Sequence, residues 1–102
     1  MSEREWSHYV VNLAGYGNWI HYHTYDSRRS NPGFPDLVLV RPPELIVAEL
    51  KAERGKLSDA QKYWLEALEQ CGVEVYVWRP TDELEVRNRL RRKPHGGNAI
   101  TP

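Results

Sequence analysis

The chain has 102 residues, of which 40% are hydrophobic, and its 14 Lys and Arg balance 14 Asp and Glu. That length suits one domain with a thin core, and the cancelled charge gives no overall basicity to mark a polyanion partner. No apolar run is long enough to span a membrane, Met1-Ser2-Glu3-Arg4-Glu5 lacks the layout of a secretory signal, and lone Cys71 cannot form an internal disulfide; all three fit a reducing cytosol.

Ser2 is the expected N-cap of a first helix over residues 3–14, with Trp6, Val10 and Leu13 on one stripe, ended by Gly15 and Gly17. Residues 19–25, rich in aromatic and β-branched side chains, predict a strand, and residues 28–35 a loop with an Asn-Pro-Gly turn. Strands follow over residues 36–40 and 45–51, joined by Arg41-Pro42-Pro43. After a charged loop at 52–57, Ser58 and Gln61 form a capping box for a helix to about Cys71, with Ala60, Trp64, Leu68 and Cys71 as its stripe and Gly72 just beyond. Residues 73–78 predict a fourth strand, and Thr81 caps a last helix to about Arg92. Trp19, Trp64, Trp78 and Cys71 are expected in the core, and the 94–102 tail is expected to fray. The order predicts an α/β sandwich: three strands paired through short links, a fourth reached by a helical crossover, and helices on a mixed sheet. One domain then covers residues 1–93.

The chemistry concentrates at Asp36 and at Glu49-Leu50-Lys51. Strand side chains alternate faces, so Glu49 and Lys51 point one way while Leu50 enters the core. Residues 45–50 are apolar on both faces up to the carboxylate, as in a buried central strand, where a charged pair is better explained by function than by surface ion pairing. Two carboxylates can hold a hard divalent cation beside a lysine near water or phosphate, the donor set for metal-assisted phosphodiester hydrolysis. His21 and His23 share a strand face, but no further His or Cys stands at zinc spacing, so a polar face that meets DNA is the better reading.

Pro35-Asp36, Glu49-Leu50-Lys51, the Gly33-Phe34-Pro35-Asp36 context and Gly55-Lys56-Leu57-Ser58 leading to Gln61 together resemble the PD-(D/E)XK nuclease superfamily, in particular its VRR-NUC branch of small stand-alone phage and bacterial proteins. The resemblance covers residues 3–91. It implies a restriction-endonuclease-like core in which Asp36, Glu49 and the Leu50 backbone carbonyl hold Mg²⁺ or Mn²⁺. Lys51 would activate water or stabilise phosphoryl charge, and Gln61 would position water, Lys51 or the scissile phosphate. Glu3 on the first helix would reach the metal through water, with Glu5 as fallback; Ser7 stands where family members often carry Gln.

These residues predict a Mg²⁺- or Mn²⁺-dependent endodeoxyribonuclease. The rival is a non-catalytic nucleic-acid-binding module of the same fold, weakened by the presence of all four site residues; a sequence-specific restriction enzyme would need a recognition domain for which there is no room. Arg28, Arg29, Lys56, Arg87 and Arg91 are candidate DNA contacts, although the last two, near a helix end opened by Asp82, Glu83 and Glu85, equally suit the helix dipole. Four tryptophans and six tyrosines exceed what a thin core hides, which predicts a homodimer. With stand-alone relatives known as dimers acting on junctions, the resemblance adds branched DNA as substrate, four-way (Holliday) junctions before flaps.

Overall fold

The computed structural model describes residues 1–24 and 32–93. Tyr25, Arg28, Arg29 and the 94–102 tail lie outside the described residues. The elements are α1 (Glu3–Tyr16), β1 (Ile20–His23), β2 (Leu37–Arg41), β3 (Glu44–Leu50), α2 (Asp59–Gln70), β4 (Glu74–Trp78) and α3 (Glu83–Leu90), with a short 3-10 turn at Pro80–Asp82. Among the described residues no helix is long and apolar enough to cross a membrane.

The sheet runs β1-β2-β3-β4, antiparallel through the first three strands and parallel between β3 and β4. This is the expected mixed α/β sheet, because only the last strand follows a helical crossover. β3 is central and its last five residues are buried, which explains its apolar character on both faces.

Register sorts the two faces. Leu37, Leu39, Ile46, Ala48, Leu50 and Trp78 form one core with Trp6, Val10 and Ala14 of α1 and Val86 and Leu90 of α3. Two buried indoles find polar partners: Trp6 Nε1 donates to the Trp78 carbonyl and Trp19 Nε1 to the Leu90 carbonyl, each at 2.9 Å, whereas Trp78 Nε1 has none among the described residues. Val47 and Glu49 point to the opposite face, where α2 lies, since Gln61 of α2 reaches Glu49. Beyond α2 that face carries exposed Ile20 and Tyr22, in register with Val40 and Val38, and exposed Leu45.

Three expectations change. On α2 it is Leu65 that is buried, whereas Cys71 is exposed at the C-cap. Trp64 stays outside the main core because a nearer aromatic claims it: its ring meets Phe34 edge-on at 5.1 Å and its Nε1 donates to the Pro32 carbonyl at 3.2 Å. Thr81 caps no helix. The 3-10 turn intervenes, Asp82 takes the N-cap position of the shortened α3, and the Thr81 hydroxyl donates to Glu53.

Candidate active site

β2 and β3 run antiparallel, so the start of β2 meets the end of β3, and Asp36 reaches Leu50, whose backbone N–H donates to Asp36 Oδ2 at 3.1 Å. One carboxylate is thereby fixed by main chain beside the residue that separates Glu49 from Lys51. Glu49 is only 2% exposed, with Lys51 Nζ at 4.0 Å from its Oε2.

Gln61 shows how sequence sets the geometry. Its Oε1 accepts from the Ser58 N–H at 2.8 Å while the Ser58 hydroxyl accepts from the Gln61 N–H, a complete capping box. With the amide oxygen occupied, its nitrogen faces the other way and donates to Glu49 Oε2 at 3.0 Å. The helix cap and the contact to Glu49 are thus one arrangement. The helix entry is seated by Gly33, which lies against Ala60 with a φ of +91°.

The electrostatics are unusual. Burial and, next, the nearby Asp36 charge push the Glu49 carboxyl up to about 8, with Lys51 acting in the opposite direction. Glu49 Oε1 is buried and has no hydrogen-bond partner among the described residues. An orphaned buried carboxylate oxygen beside a second carboxylate is what a hard cation would satisfy. The oxygen-rich set of Asp36, Glu49 and the Leu50 backbone fits Mg²⁺ or Mn²⁺, which take one or two carboxylates and keep several waters. Among the described residues no group of three or more His, Cys, Asp or Glu is poised around one metal position.

On the α1 side of Asp36 opens a cleft of about 670 Å³ lined by Glu3, Arg4, Ser7, His8, His23 and Thr24. Glu3 therefore shares a cleft with Asp36, while Glu5 is engaged in the Ser2 capping box. Burial holds the His23 imidazole below its usual pKa. Arg4 and His8, one turn apart on α1, carry no signal in the sequence, because on a polar helix face nothing separates them from ordinary surface residues.

The structure brings together Asp36, Glu49, Leu50, Lys51 and Gln61, with Glu3 across the cleft. Lys56 sits in the loop after Lys51. Arg87 and Arg91 are not gathered there: Arg41, at the far end of β2 from Asp36, donates from Nη1 to the Arg91 carbonyl at 2.9 Å, and Arg87 pairs with Glu83 at 3.6 Å.

A family model described as the VRR-NUC domain matches residues 4–82, a span that contains Asp36, Glu49, Lys51 and Gln61. Fanconi-associated nuclease 1 homolog of Schizosaccharomyces pombe is 38% identical over 56 residues, which cover 53% of this chain and 8% of that protein. The chain thus spans only a small part of the length of that relative. No solved structure matches it.

Proposed function

Because the chain belongs to the VRR-NUC domain family, we propose that it is a nuclease, specifically a Mg²⁺- or Mn²⁺-dependent DNA endonuclease working at Asp36, Glu49, Lys51 and Gln61. The observation that carries this reading is Glu49: buried, pushed up to about 8 by burial and Asp36, and left with an unpartnered oxygen. Asp36 and Glu49, with the Leu50 carbonyl, would hold the ion. When bound, it supplies Lewis-acid stabilisation of phosphoryl charge and a more acidic water. Lys51, on the Glu49 side, donates to the water or to a phosphoryl oxygen. Gln61 holds Glu49 in its ligand orientation. Glu3 would reach the ion through water, and the cleft it lines with Arg4 and His8 would take the strand flanking the scissile phosphate. The wording "nuclease" for the Schizosaccharomyces pombe relative agrees with this reading.

The decisive assay incubates purified protein with labelled linear, flap and four-way-junction DNA in Mg²⁺, Mn²⁺, Ca²⁺ or EDTA. Cutting is expected in Mg²⁺ and Mn²⁺, little in Ca²⁺, whose longer bonds and larger coordination shell fit the site less well, and none in EDTA. Binding without cutting under every condition would leave the non-catalytic module as the better reading; full activity with zinc alone would move attention to His21 and His23.

We further propose a homodimer selective for branched DNA. Support comes from the exposed apolar sheet face, where Ile20 is 69% and Tyr22 63% exposed on the edge strand β1 and Leu45 is 44% exposed on β3. A two-fold pair sets two sites at a fixed separation and so selects substrate by shape, through phosphate contacts. Light scattering at micromolar concentration should give twice the monomer mass, and junctions should outcompete linear duplex. A monomeric mass would remove the dimer; equal cutting of both substrates would leave a non-selective nuclease.

A further inference from the structure

The loop that leaves β3 carries Lys51 out of the sheet and delivers the chain to Ser58 and Gln61 without a helix or strand of its own. Its shape comes from Arg79, the residue after β4. Arg79 Nη1 donates to the carbonyls of Ala52, Glu53 and Gly55 at 2.9, 3.2 and 2.6 Å. A second tie fixes the same loop: the Thr81 N–H and hydroxyl donate to the Glu53 carboxylate at 3.0 and 2.9 Å. The arginine backbone is itself held, because its N–H donates to Asp82 Oδ2 at 2.9 Å.

The clamped loop touches the site directly. A Cβ built on Gly55 would lie 3.4 Å from Lys51 Cδ, so the loop backbone packs along the lysine stem. The Lys51 N–H donates to the carbonyl of Trp78, the residue before Arg79. Lysine, loop and arginine form one packed unit. Arginine chemistry suits such a clamp, because its permanent charge attracts converging carbonyl dipoles and its planar group offers several donors in a fixed fork. An aliphatic side chain there would leave the Glu53 and Gly55 carbonyls without this donor and the Ala52 carbonyl with the Gly55 N–H alone, and the loop would open to hydrate them.

We propose that Arg79 is a positioning residue, which gathers three loop carbonyls on one guanidinium nitrogen and thereby fixes where the Lys51 ammonium stands relative to Glu49. The catalytic half of this assignment rests on the nuclease reading above; the clamp itself rests on geometry alone.

The test compares wild type, Arg79→Met and Arg79→Lys by steady-state DNA cleavage in Mg²⁺ and by limited trypsin digestion of the same proteins without metal. Trypsin cuts after Arg54 and Lys56 report on the loop, and cutting after Arg87 in α3 reports on global opening. Arg79→Met should lower kcat by about tenfold or more with KM changed by less than about twofold, since a mis-set lysine costs transition-state stabilisation rather than binding. It should also speed cutting after Arg54 and Lys56 at least several-fold over cutting after Arg87. Arg79→Lys should recover part of both losses, and it carries the test if Arg79→Met does not fold. A raised KM with unchanged kcat and unchanged loop cutting would overturn the proposal, because Arg79 would then be contacting DNA. Faster cutting at all three positions alike would overturn it in favour of general stability. If wild type cuts no DNA, the nuclease reading falls, while the trypsin comparison still decides whether Arg79 clamps the loop.

Discussion

Glu49→Gln should abolish detectable cleavage and, in the same protein without metal, raise stability at pH 8. The first effect follows from the proposed metal site, in which Glu49 would be an anionic ligand whose loss is expected to cost several kcal/mol of phosphoryl-charge stabilisation, or a rate loss of about 10³-fold. Asp36→Ala and Lys51→Ala should match it in direction. The second effect comes from the cost of charging Glu49 where it is buried next to Asp36. Its carboxyl is raised from 4.5 to about 8 in the folded protein, so the folded state binds more protons than the unfolded state between those values. Stability therefore falls as pH rises across that window, and the loss is complete only above the folded pKa. The magnitude is on the order of a few kcal/mol. Glutamine keeps the shape without the charge. Wild type and Glu49→Gln should be alike near pH 4 and diverge toward pH 8, with the variant the more stable.

His23 gives a slope of opposite sign around its unfolded pKa, since its folded pKa is lowered. Both proteins share it, and the difference between them isolates Glu49. Urea melts at four or five pH values in EDTA measure that difference. Adding Mg²⁺ should stabilise wild type more at pH 8 than at pH 6, because a cation that binds only the folded state supplies the charge Glu49 needs. Parallel pH profiles for the two proteins would refute the buried, charge-starved site. Full activity of Glu49→Gln would refute its role in holding the ion.

What the sequence discloses is whatever repeats or caps. Ile46, Val47 and Ala48 are apolar on both faces because β3 sits between two strands and two helix layers, and the double burial is written directly in the residue types. Ser58 and Gln61 announce a helix start, and that start also carries the amide that meets Glu49. The features that stay hidden are single side chains bound to distant main chain. Arg41 reaches the Gly17 and Arg91 carbonyls at 2.9 Å and lies over the Trp19 ring at 4.2 Å, tying two helix ends together at the far end of β2. Arg79 does the same for the 52–55 loop. Neither has a periodic signal, because a carbonyl is present at every residue and identifies no partner. Trp64 and Cys71 lie on a plausible helical stripe, yet α2 turns Leu65 inward while Trp64 leans onto Phe34. Periodicity fixes which residues share a face, and the competing aromatic decides which face is buried.

Gly33→Ala should destabilise the protein far more than Gly72→Ala, although both glycines have positive φ, +91° and +84°. A side chain at either position pays a conformational cost of about 1–2 kcal/mol. At Gly72 that is all, since a new Cβ would meet nothing within 4 Å. At Gly33 the Cβ would fall 2.5, 2.6 and 2.7 Å from the carbonyl carbon, carbonyl oxygen and Cβ of Ala60. Two of those three atoms are backbone of α2 and cannot swing aside, so relief requires the helix start to move. Forcing such a contact adds about 1–3 kcal/mol. The sum, about 2–5 kcal/mol, corresponds to a Tm loss of about 10–25 °C for a domain of this size. Ala60 directly precedes Gln61, so the displacement should also pull the amide from Glu49 and lower kcat in whatever fraction remains folded. Thermal melts of the two variants side by side make the measurement. Equal Tm losses would show that the chain yields at Ala60, and the close approach of the Gly33 loop would then have no part in seating Gln61.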